Sequence, residues 1–152
     1  MKTSIAIFII LISGLSSSAQ TTNPNYDETL AKKLGADDYG MKQYVLVMLK
    51  TGENKISDKA QTDSLFAGHM NNIHRLVDAD KLIVAGPLGK NDKTYRGIFI
   101  LNVKTLEEAN ELLLTDPAIK GKLLACETYI WYGSAALGEY LPASDKIWKI
   151  EP

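Results

Sequence analysis

The chain is short of several things. One cysteine in 152 residues excludes a disulfide framework within the chain. Two histidines give an imidazole-based metal site little to draw on. A formal net charge of −1 lacks the basic surplus of a nucleic-acid-binding surface. The phosphate loops G-x-G-x-x-G and G-K-[ST] are absent, as is the G-x-S-x-G nucleophile elbow, so the commonest nucleotide and serine-hydrolase signatures are missing. Internal repeats and low-complexity tracts are absent too. What the chain does have is 45% hydrophobic residues. That is ample for a core and excludes disorder as the main state. The length makes a single domain the default.

Lys2 precedes the apolar run Ile5–Ile12, and Ser17-Ser18-Ala19 follows with small residues where a signal peptidase reads. The run falls short of the roughly 20 residues that span a bilayer. The pattern predicts a secretory signal peptide over 1–19, a periplasmic or secreted product, and no membrane anchor after cleavage. The chain has 17 basic and 18 acidic residues, and removal of Lys2 takes the net charge from −1 to −2. Cys126, among Leu123, Leu124 and Ala125, then sits unpaired in an oxidising compartment, and its apolar neighbours predict burial.

Residues 20–40 read as a polar leader with a short helical turn at 27–34. Tyr44–Leu49 predicts a strand. A helix follows from about Lys59 to Ala79 with Asp58 or Ser57 as N-cap. Leu82–Ala85 and Tyr95–Val103 predict two more strands. Thr105 with Glu108 predicts a capping box for a second helix ending near Thr115, and Leu123–Tyr132 predicts a fourth strand. The main domain is thus 41–132, and 133–152 is a tail without clear period. The order β-α-β-β-α-β predicts the ferredoxin-like α+β fold, a four-stranded antiparallel sheet with two helices on one face.

A strand with one wet face alternates apolar and polar residues. The first strand is apolar throughout and the third nearly so, so both sheet faces want cover and two helices cover only one. Burial is worth about 25 cal/mol per Å². That predicts a homodimer with sheets face to face, unless the tail folds over its own sheet.

Both histidines lie on the first long helix. At about 100° per residue, His69 falls within the arc of Phe66, Ile73, Val77 and Leu76, and His74 falls outside it. His69 is therefore expected to face the sheet, as a satisfied core residue or as a site residue, and His74 the edge or solvent. The rings stand about 140° apart and fit the i, i+4 spacing of helical zinc pairs poorly, so no metal or other cofactor is expected. Asp116 before Pro117 is either a helix stop or a functional carboxylate. Glu127, a charge within an apolar strand, is either an edge residue or a weak site candidate.

His69-Met70-Asn71-Asn72-Ile73-His74-Arg75-Leu76, then Lys81-Leu82-Ile83-Val84-Ala85-Gly86-Pro87, together with Thr115-Asp116-Pro117, resembles the signature of the YCII-related family. Asp80 departs from it, standing where the family usually has glycine, and the tail is similar to that of exported relatives. The resemblance, over roughly 44–132, implies a dimeric α/β barrel. It also implies an active site pairing His69 with Asp116, in which the carboxylate fixes the imidazole tautomer and the free nitrogen acts as acid or base. The implied chemistry is lyase- or isomerase-like, on a small molecule. The alternatives are a non-catalytic dimer that binds a small ligand or plays an accessory part, and a purely structural oligomer.

Overall fold

The longer helices each begin at a residue able to take up their first free N–H groups. Asp27 accepts from Leu30 N–H to start α1, Glu28–Leu34. Asp58 accepts from Ala60 and Gln61 to start α2, Lys59–Asp78. Thr105 accepts from Glu108 to start α3, Leu106–Leu113. The Glu108 carboxylate reaches back to the N–H of Lys104, one residue beyond the usual capping box. The computed structural model describes residues 23–150, so the expected signal peptide lies outside the described residues.

Strands β1 (Met41–Thr51), β2 (Leu82–Pro87), β3 (Tyr95–Leu101) and β4 (Leu124–Ser134) form one antiparallel sheet in the order β2-β3-β1-β4. The ferredoxin-like expectation holds. Strands β1 and β4 run longer than the apolar runs suggested, because Met41 pairs Ser134 and Thr51 pairs Leu124 along the full ladder. Val45, Val47 and Leu49 of β1 join Phe99 and Leu101 of β3 and Leu82 of β2 in a core with Leu76, Ala109 and Leu113 from the helices.

The second sheet face carries Leu46, Met48, Ile98 and Ile100, all half-buried. One end of this face is covered. Tyr44 is fully buried there, bonded through its hydroxyl to the Ser134 carbonyl and in contact with the Trp131 ring. A 3-10 turn over Ala135–Tyr140 and the short α5, Leu141–Ser144, follow β4. They meet α1 through Lys33–Glu139, and Tyr132 donates to Asp37. The tail, aperiodic in sequence, therefore folds over part of its own sheet, and the rest of the face stays open.

Helix α2 ends in a Schellman motif, with Asp80 N–H bonded to Val77 and Lys81 N–H to Leu76. That motif puts Asp80 at φ 54°, a left-handed position where glycine has no Cβ penalty. Asp80→Gly is expected to raise stability by about 0.5–1 kcal/mol, read as a higher urea midpoint at unchanged slope.

Candidate active site

Helix α2 carries His69, and a turn between α3 and β4 carries Asp116. The sequence pattern spread the buried arc of α2 over Phe66, Ile73, Val77 and Leu76, with His69 inside it. In the structure the buried residues are His69, Asn72 and Leu76, so the face is rotated toward the histidine. The reason is a short helix the sequence did not suggest: α4, Pro117–Lys120, packs against α2 and covers that side. His74, outside the arc, is half-buried.

Asp116 caps α4 rather than simply ending α3. Its Oδ1 accepts from the backbone N–H of Ala118 at 2.9 Å and of Ile119 at 3.3 Å, with Pro117 in the first turn, where its missing N–H costs nothing. Its Oδ2 lies 2.6 Å from His69 Nδ1. The aspartate is fully buried, and the histidine side chain keeps 11% exposure. A carboxylate can only accept, so the proton of this bond is assigned to Nδ1, and the lone pair of the neutral ring then sits on Nε2. Among the described residues no buried side-chain nitrogen or oxygen lacks a partner, and no bond from Nε2 accompanies that from Nδ1. The ring as a whole keeps that residual exposure.

Two aromatic rings fix the imidazole plane. Phe99 stacks on it at 5.9 Å between centroids and 20° between planes. Phe66, one turn earlier on α2, meets it edge-on at 6.2 Å and 89°.

The close approach of α2 to α4 depends on Gly68. A Cβ there would stand 2.8 Å from Pro117 Cγ, so a larger residue would force the proline ring beside Asp116 to shift. On the other side, Arg75 bonds both Asn72 and Thr115 across the same seam. Sequence reasoning missed these four residues. The legible signal was a glycine inside a helix directly before the histidine, a placement that costs about 1 kcal/mol against alanine.

Cys126 lies on the helix-facing side of β4, opposite Leu49, and packs against the core. Burial, with the Asp116 charge adding to it, pushes its thiol up to about 12. That rise from the ordinary thiol range cuts the thiolate fraction about a thousandfold at neutral pH, and the greater nucleophilicity of a more basic thiolate offsets part of that. Iodoacetamide is expected to alkylate folded Cys126 about fiftyfold more slowly than the unfolded chain at pH 7.5. The folded state holds this proton more tightly, so the thiol's contribution is complete below pH 9 and is lost as pH rises toward 12.

Glu127 lies on the opposite sheet face. It accepts from Lys50 at 2.6 Å, Tyr95 at 3.1 Å and Tyr129 at 3.3 Å, and these bonds, Lys50 first, lower its carboxyl from the usual range. The structure thus separates Glu127 from the His69–Asp116 pair by the thickness of the sheet. Among the described residues no three His, Cys, Asp or Glu side chains lie together in a way that could hold a metal ion, and no helix is long and apolar enough to cross a membrane.

The fold and this pair define a ferredoxin-like α+β domain with a helix-borne histidine bonded to a buried aspartate. No protein-family model matches the chain, and no curated protein matches it. Nine solved chains are similar in structure. One is 5-chloro-2-hydroxyhydroquinone dehydrochlorinase (TftG) from Burkholderia phenoliruptrix AC1100, in complex with 2,5-dihydroxybenzoquinone. It is 20% identical over 57% of this chain and 92% of its own, with a TM-score of 0.41. At that identity and score the likeness says nothing of substrate or reaction.

Proposed function

We propose that the protein is an exported homodimeric enzyme in which His69, held by Asp116, moves a proton on a small molecule in a lyase- or isomerase-like step. The observation that carries this reading is the 2.6 Å bond from Nδ1 to a fully buried carboxylate, on a side chain that keeps some exposure. A histidine serving only the core would have both nitrogens sealed and bonded. Asp116 holds the ring and its tautomer, Phe99 and Phe66 hold its plane, and Nε2 takes a proton from an activated carbon and returns it to a neighbouring atom. The resemblance to the YCII-related family supports the same pairing. Export rests on the N-terminal sequence pattern, and the partner copy on the open remainder of the sheet's second face, where Leu46, Met48, Ile98 and Ile100 lie half-buried. Contiguous apolar patches of this kind mark association sites.

The test is deuterium exchange into enolisable lactones and ring ketones, followed by proton NMR with wild-type protein and His69→Gln, both checked by sedimentation. The reading expects a mass of two chains for both proteins and exchange that depends on His69. Equal exchange by the two proteins on every probe, or loss of the fold as the sole effect of His69→Gln, would overturn the catalytic role and favour a ligand-binding dimer.

A further inference from the structure

Three consecutive residues, 115 to 117, dock on α2 in three different ways. Pro117 rests against Gly68, Asp116 bonds His69, and Thr115 meets a polar cluster farther along the helix. In that cluster Arg75 Nη2 donates to Thr115 Oγ1 at 2.7 Å and to Asn72 Oδ1 at 2.8 Å, and Nε donates to the same Asn72 oxygen at 3.2 Å. The Thr115 hydroxyl has one proton and its shortest acceptor is the Leu112 carbonyl, at 2.6 Å. Its lone pairs are thereby left for Arg75. Asn72 is buried and Arg75 exposed, so the cluster ties a buried amide on α2, through a surface cation, to the residue before Asp116.

We propose that Arg75, acting through Asn72 and Thr115, is a positioning group that fixes the Asp116 carboxylate in register with His69 Nδ1. The proposal rests on the acid–base reading of that pair. The physical reason is leverage. A carboxylate on a short turn can swing, and a displacement of about 1 Å at a reacting group costs roughly a hundredfold in rate. Pro117 against Gly68 stops the turn from moving toward the helix. The Arg75 bonds stop it from moving away. Asn72 and Arg75 are one turn apart on one helix face, so a single guanidinium reaches both acceptors, and its fork geometry holds them in fixed directions.

The experiment reads the His69 ring itself. Protein labelled with nitrogen-15 is compared as wild type, Arg75→Met, Thr115→Val and Thr115→Ser, by long-range proton–nitrogen spectra and by solvent exchange of the Nδ1 proton. Wild type is expected to show one tautomer and slow exchange. Arg75→Met and Thr115→Val should show mixed tautomers and exchange at least tenfold faster, and Thr115→Ser, which keeps the acceptor, should restore the wild-type ring. Arg75 is at the surface, so Arg75→Met decides the matter should Thr115→Val fail to fold. A lowered urea midpoint with an unchanged ring in Arg75→Met would overturn the proposal by showing the cluster to be structural only. Failure of the acid–base reading looks different: the wild-type ring keeps one tautomer and the variants still loosen it, but no probe exchanges in a His69-dependent way.

Discussion

His69→Gln is expected to slow proton exchange on any probe the wild type turns over by about 10²–10⁴-fold, the usual worth of a positioned acid or base. Glutamine is close in size and can still donate to Asp116, so the buried carboxylate keeps a partner. What disappears is the lone pair on Nε2. The loss should therefore appear in rate, with two chains still associated and the urea midpoint changed little. Asp116→Asn makes the complementary case. Its amide oxygen can keep the bonds to Ala118 and Ile119, and its amide nitrogen then faces Nδ1 as a donor. The ring must move its proton to Nε2 to accept, so the group left open is an N–H rather than a base. Exchange should fall as far as in His69→Gln, and the nitrogen-15 spectrum should show the opposite tautomer.

Asp116→Ala is expected to cost about 3–5 kcal/mol of stability. Three losses coincide. The α4 cap goes, typically about 1 kcal/mol. The Nδ1–H of His69, in a side chain only 11% exposed, is left without its acceptor, at about 1–3 kcal/mol. The fully buried volume of the side chain becomes a cavity. Asp116→Asn, which keeps the cap and the volume, should lose about 1–2 kcal/mol. Urea unfolding separates the two, and equal midpoints for Ala and Asn would mean that the carboxylate does not hold this part of the fold.

The strands and long helix were legible because each is fixed by its own residues. Asp58 starts α2 where a side-chain acceptor is available, and the β-branched run of β1 forms a strand whatever its neighbours do. The inward turn of His69 was legible from helical period alone. The register of α2 was less so. Asn72 is polar, and periodicity counts a polar residue as solvent-facing. It is buried because Arg75 satisfies its oxygen, and Arg75 is itself anchored by Thr115, 40 positions further along the chain. The tail was opaque for a similar reason. Its covering of the sheet comes from single contacts with α1 and Tyr44, and these leave no period in the sequence.

The sequence by itself determined the order of the four strands and the two longer helices, the sheet they build, and the presence of one inward histidine and one aspartate before a proline. Only the tertiary structure decided that these two side chains touch, that one carboxylate both caps a helix and holds an imidazole, and that a glycine makes room for it. The physical reason is range. Capping, propensity and alternation act within a few residues, whereas a 2.6 Å bond between positions 47 apart exists only once the packing of α2 on α4 has fixed both backbones.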